Sequence, residues 1–165
     1  MIALKQVLVP TDFSEPSDAA LAYGRELARA FGAKLHVLHV AESLMTTAGI
    51  EYFSASLPEV QAGIEEAARK KLQTIITAQD REELQAEVAV RTWTSPAAGI
   101  LEYAKEEDID LIVMGTHGRG AMSRFLIGSV AERVVRTAPC PVLTVHRPEH
   151  DFLAPDVVAL VAAHA

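Results

Sequence analysis

Apolar residues fall into two rhythms along this chain. Short runs rich in valine, leucine and isoleucine alternate with longer segments in which apolar positions recur every third or fourth residue. That is the pattern of a parallel sheet wrapped by helices. The runs QVLVP (6–10), KLHVLHV (34–40), AEVAVRTW (86–93), DLIVMG (110–115) and PVLTVH (141–146) predict five strands. The fourth is apolar on both faces, as a central strand covered by helices on either side must be. Between the runs, four helices are predicted. The first takes Ser14 as its cap and Pro16 in its first turn, sets Ala20, Gly24, Leu27, Ala28 and Phe31 on one stripe, and stops at Gly32. The second, near 58–78, repeats Val60, Ile64, Ala67, Ala68, Leu72, Ile75 and Ile76 on one face. The third opens with Ser95 and Pro96 and turns Ile100, Leu101 and Ala104 inward; the fourth follows Gly128.

Two stretches fall outside this rhythm. Residues 42–57, ESLMTTAGIEYFSASL, form a connection longer than most in compact domains, of the kind that serves as a lid, an interface or a mobile segment. The tail 148–165 contains Val157, Val158, Leu160 and Val161, which suit a short helix or a disordered end. The 165 residues are therefore expected to form one domain, 1–147, and this tail. Composition then removes several function classes. A formal charge of −7 argues against nucleic acid, because phosphate backbones reward broad faces of clustered Lys and Arg. No apolar run reaches the length of a membrane span, and MIALKQVLVPTD lacks the apolar length and cleavage site of a secretion signal. Cys140, the single cysteine, has no partner for an internal disulfide, so a reducing, cytoplasmic setting is expected.

The chemistry concentrates after the fourth strand, in LIVMGTHGRGAMSRFLIGSVAERVV (111–135). Residues 115–136 hold four arginines (119, 124, 133, 136) against one acid, Glu132, a local +3 in an acidic chain. In an open parallel sheet the ligand crevice lies outside the carboxyl ends of the strands. That gathers PTDFS after strand 1, VAES after strand 2 and the glycine loop after strand 4. Glycines at 115, 118 and 120 are expected to allow positive φ and close backbone approach. Successive N–H groups and the start of a helix near Ser129 then suit phosphate, with Arg119 adding a charged donor fork. Two common phosphate motifs fail. Gly115 and Gly120 have P-loop spacing, but Ala121 and Met122 follow where Lys and Ser or Thr are needed, and the dinucleotide fingerprint has no glycine to start from in PTDFSEPSD.

What fits is glycine, two residues, glycine, nine residues, then glycine with Ser or Thr: Gly115, TH, Gly118, RGAMSRFLI, Gly128, Ser129. Together with VLVPTDFSEPSDAAL, LHVLHV and CPVLTV, this resembles the ATP-binding branch of the universal stress protein family over roughly residues 1–147. The resemblance implies an α/β fold: a single open five-stranded parallel sheet in the order 3-2-1-4-5 with helices on both faces, Rossmann-like and of adenine nucleotide alpha hydrolase type. It also implies ATP, ADP or AMP in the crevice, any Mg²⁺ or Mn²⁺ being held mainly by the phosphates, and dimers formed through strand 5. By position, Pro10, Thr11 and Asp12 are then expected to flank the adenosine, and Val40 to meet adenine through its backbone. Met114, Gly115, Gly118, Arg119, Gly128, Ser129 and Val130 are expected around ribose and phosphates. The tail has no place in that pattern.

Plainer roles stand beside these. Asp12 also suits a turn acceptor for the first helix, which is compatible with ligand contact. Arg124, Arg133 and Arg136 suit solvated or dipole-facing helix positions, His117 either touches phosphate or faces water, and Cys140 between two prolines reads as an inert small residue. His36 and His39 differ by three along a strand and so point to opposite faces, which disfavours a shared metal site. Three functional classes follow: a nucleotide-dependent homodimeric switch in stress response or signalling, a slow ATP hydrolase or phosphate-transferring enzyme, and a scaffold indifferent to nucleotide. Phosphoryl transfer needs metal ligands and a group that positions the nucleophile. No second carboxylate adjoins the glycine loop, so no catalytic residue is assigned; the intact motif argues against the scaffold. For assembly, PVLTVH carries neither lysine nor acid, and an uncharged edge strand invites a partner. A two-fold homodimer is expected in which Val142, Leu143 and Val145 meet their equivalents. The alternative is an apolar tail, Phe152 to Val161, folded over that edge.

Overall fold

The computed structural model of the chain describes residues 3–44, 57–116 and 128–146. Five strands, β1 (Gln6–Pro10), β2 (Lys34–Glu42), β3 (Glu87–Trp93), β4 (Leu111–Gly115) and β5 (Val142–Val145), form one sheet in the order β3-β2-β1-β4-β5. All four pairings are parallel, with Val7 opposite Leu35 and Leu111, and Ile112 opposite Val142. The expected order and class therefore hold. Period-2 alternation along the strands builds a core on each face. One gathers Val7, Val9, Leu35, Val37, Val113 and Val145 under α1 (Glu15–Phe31) and α2 (Leu57–Ile75). The other gathers Leu8, Leu38, Val40, Ile112 and Met114 under α4 (Pro96–Glu106) and α5 (Ser129–Thr137).

The helices depart from the periodic reading in three places. The single helix expected near 58–78 is two, because Thr77 begins a new one, α3 (Ala78–Glu83): its hydroxyl accepts from the Asp80 N–H while the Asp80 carboxylate accepts from the Thr77 N–H. Asp80 is buried and also takes the Arg25 guanidinium of α1, which donates as well to the Ile75 carbonyl, so one carboxylate ties the break between α2 and α3 to α1. Second, Ala68, Leu72 and Ile76 reach the core but Val60 and Ile64 are exposed, the first half of α2 meeting β3 instead through Gln61 and Glu65, which pair with the Thr92 hydroxyl. Third, Phe31 is exposed at the end of α1, one residue before the left-handed Gly32 that stops the helix. The tight part of α1 is Gly24, where a Cβ would run into Val9 of β1.

His36 and His39 do face opposite sides of the sheet. His36 is fully buried: its Nε2–H donates to Gln6 Oε1 at 2.8 Å and its Nδ1 accepts from the Tyr103 hydroxyl at 2.9 Å. Burial, reinforced by the Lys34 ammonium, lowers the His36 pKa below its ordinary 6.5, so the folded protein holds a neutral ring there. The unfolded chain binds this proton as pH falls through 6.5 and the folded chain binds it only lower, so stability rises with pH across that window and levels off above it. In urea titrations, His36→Gln should therefore be less stable than the parent at pH 7.5, and the gap should narrow as pH drops toward 5.5. A gap that stays constant would show that His36 does not change its affinity for a proton on folding.

Candidate functional site

The carboxyl ends of β1, β2 and β4 and the starts of α4 and α5 enclose a cavity of about 480 Å³, a size that suits a small-molecule ligand. Pro10, Thr11 and Asp12 line it from the end of β1, Val40 from β2, Met114 and Gly115 from β4, and Gly128, Ser129 and Val130 from the start of α5. The structure thus brings together residues as far apart in the chain as Pro10 and Ala131. Gly118 and Arg119 lie outside the described residues, as does His117. Sequence reasoning missed Pro96 and Ile100 on α4 and Thr116 after β4. The signal for the first two was present: a helix opened by Ser95-Pro96 directly after β3 must begin at the same end of the sheet as the other crossings. Leu38, Val40, Ile100 and Met114 give apolar walls, and Thr11, Asp12, Thr116 and Ser129 supply polar groups.

A compact turn sets the β1 side. The Thr11 N–H donates to the Leu38 carbonyl, continuing the ladder one residue past β1. Buried Thr11 then accepts from the Phe13 N–H through Oγ1 and donates to Ser17 Oγ, which in turn donates to the Ser14 carbonyl. Asp12 Oδ1 accepts from both the N–H and the hydroxyl of Ser14. Both roles weighed for Asp12 therefore coincide in place: it caps the turn into α1 and lines the cavity. Phe13 between them has φ 63°, a left-handed conformation that costs a side-chain-bearing residue roughly 1 kcal/mol.

The β4 side is closed by the backbone. The Thr116 N–H donates to the Val145 carbonyl and its carbonyl accepts from the Gly128 N–H, which joins the end of β4 to the start of α5. Its hydroxyl pairs with His146 Nδ1 at 3.0 Å. Helix α5 then starts at Gly128, which has no side chain to cap it. The contrast with its neighbours is chemical: Ser95 Oγ accepts from the Ala98 N–H at the start of α4, and Asp12 and Ser17 serve the start of α1. The first-turn N–H groups of α5, which a helix leaves without intrahelical acceptors, border the cavity.

The expected positive φ is corrected at Gly115, the one glycine of that expectation among the described residues. Gly32 is the one described glycine with positive φ, and Gly128 has φ −60° and ψ 149°. Gly115 is glycine because of packing: a Cβ there would lie 2.9 Å from the backbone carbon and oxygen of Pro16, where α1 begins.

Comparison with known proteins agrees with this geometry. The profile of the universal stress protein family matches residues 3–146. The chain is similar to universal stress protein MJ0531 of Methanocaldococcus jannaschii, at 32% identity over 157 residues, covering 89% of this chain and 85% of the relative. It is also similar to the crystal structure of a universal stress protein in complex with cAMP (28% identity, TM-score 0.55, 88% of this chain and 98% of that one). A third likeness is to the universal stress protein from Archaeoglobus fulgidus in complex with dAMP (25% identity, TM-score 0.56, 87% and 98%).

The Gly115 contact leads to a stability prediction. Gly115→Ala should push α1 away from the end of β4 and cost roughly 1 to 3 kcal/mol, as overpacking of a close contact does, read as a lower urea midpoint with no ligand present. An unchanged midpoint would mean that the Pro16 turn yields freely.

Proposed function

Since this chain belongs to the universal stress protein family, we propose that it is an adenine-nucleotide-binding module of that family whose occupancy controls its assembly and surface. The observation that carries this reading is the cavity itself, lined by apolar Leu38, Val40, Ile100 and Met114 together with the start of α5, whose cap position Gly128 has no side chain. Such a pairing suits a flat apolar base and an anionic group at the same time. The relatives solved with cAMP and dAMP support it, because both ligands combine adenine, a sugar and phosphate. In this reading Pro10, Thr11, Asp12 and Val40 take the nucleoside, and Met114, Gly115, Gly118, Arg119, Gly128, Ser129 and Val130 take ribose and phosphates. ATP, with its cation held by its own phosphates, is the proposed physiological ligand. The setting is the reducing cytoplasm, where Cys140, a free thiol whose pKa burial raises, stays protonated.

Isothermal titration tests the reading. AMP and ATP should bind the parent, and guanine nucleotides more weakly. Gly118→Val, which places a branched side chain where backbone must approach phosphate, should cost roughly 2 to 4 kcal/mol, about thirty-fold to a thousand-fold in affinity. Guanine binding as tight as adenine would sink the adenosine assignment, and full ATP affinity in folded Gly118→Val would remove the glycine loop from the site.

The switch needs a dimer, and β5 is the edge we assign to it. Of the two sheet edges, β3 carries Glu87 and Arg91 while β5 reads VLTV, and an uncharged edge leaves pairing open. Val145 is buried against the α1 side of the core, so the dimer contact falls to Val142 and exposed Leu143. The Pro141 and Val145 carbonyls accept from Ile112 and Thr116 after it, so the odd-numbered residues of β5 face inward and Val142 and Thr144 turn their backbone outward. Thr144→Pro removes one outward N–H and no bond to β4, a position where a sheet tolerates proline. Light scattering should give a dimer for the parent and a monomer of unchanged fold for Thr144→Pro; a dimer in both would exclude β5 pairing.

A further inference from the structure

We infer that His39 is a positioning residue for the nucleoside end of the site, acting through Thr11 and Phe13 on the Asp12 carboxylate; the inference rests on the adenine-nucleotide reading above. The His39 side chain leaves β2 on the face opposite Val40 and passes under the turn that follows β1. Its Nδ1–H donates to the Thr11 carbonyl at 2.9 Å, immediately beyond the last ladder bond from the Thr11 N–H to Leu38. A side chain thus extends the β1–β2 pairing past the point where the main chain turns away. Its ring also lies against the Phe13 ring, with centroids 4.7 Å apart and planes tilted by 31°. The Lys71 ammonium of α2 sits 4.6 Å from the centroid of the same Phe13 ring.

Phe13 is the residue held at φ 63°. Strain of this kind persists only where surrounding contacts over-determine it, and it clusters at ligand sites. Here His39 supplies two of those contacts at once: it fixes the carbonyl before Asp12 and the side chain after it. Asp12, gripped on both sides, presents its carboxylate to the cavity with Oδ1 anchored on Ser14. Without the imidazole, Phe13 can relax toward negative φ, and the peptide that aims Asp12 turns with it.

A double-mutant cycle on the full chain, read by titration with AMP, tests this. His39→Leu should weaken AMP binding about five- to tenfold, the scale of one hydrogen bond. In the Asp12→Ala background the same change should cost nothing further, because the group being positioned is gone. His39→Asn, whose amide N–H reaches the place of Nδ1–H, should restore most of the affinity, and His39→Gln should not. An equal loss from His39→Leu in both backgrounds overturns the His39 role while leaving the nucleotide site intact. Should His39→Leu fail to fold, Asn and Gln variants with the same affinity overturn it instead. No AMP binding by the parent overturns the nucleotide reading, and this inference with it.

Discussion

A strand buried on both faces must be covered twice, and β1, β2 and β4 all carry that requirement. Val7, Leu8 and Val9 are fully shielded, as are Leu35, Val37 and Leu38, and Ile112 and Val113. Parallel strands cannot be joined by a hairpin, so each connection crosses back through a helix, and helices on both faces are the one way to cover both sides. Each helix after a strand then begins at the carboxyl end of the sheet. In the order β3-β2-β1-β4-β5 the connection after β1 runs to β2 and the connection after β4 runs to β5, in opposite directions, which opens the crevice between β1 and β4. The cavity is a consequence of how the core is covered.

Helix starts gathered at one end would be costly if all were left open, since each presents unsatisfied N–H groups. The chain treats them unequally. α4 is capped by Ser95, and the Ser14 N–H at the head of α1 is taken by Asp12 and Ser17, while α5 starts at Gly128. The partial positive charge of α5 therefore remains available to whatever fills the cavity, within a protein of net charge −7. Selectivity for an anion at this point follows from which caps are present as much as from which arginines are nearby.

The two histidines of β2 show how alternation sorts similar residues into different work. His36, facing α4, lies between Tyr103 and Gln6 in a fully paired buried chain of hydrogen bonds, and burial also raises the Tyr103 pKa, so its hydroxyl stays a donor. His39, three residues on, faces the β1 turn and meets the backbone of the site. Both are polar groups placed where a parallel strand would ordinarily carry an apolar side chain, and each is held by a partner from another element.

The sequence by itself determined the succession of strands and helices along the chain, save the break at Thr77, because apolar spacing reports which side of each element is covered. It also marked most of the site, from PTD after β1 to Gly128-Ser129 before α5, because strand ends and helix starts carry distinctive residues. Four things needed the tertiary structure. The tie that holds the α2–α3 break to α1 depends on Arg25 reaching Asp80 from 55 positions away, which no local period reveals. Val60 and Ile64 continue an apolar stripe yet face outward, because it is polar Gln61 and Glu65 that meet β3, at the Thr92 hydroxyl. Gly115 looks like part of a phosphate loop and is also a packing glycine against Pro16. His39 reads as one more strand residue until β1 lies beside β2 and Thr11 comes within its reach. Periodicity is local, whereas each of these is a contact between elements, and such contacts exist only once the chain has closed on itself.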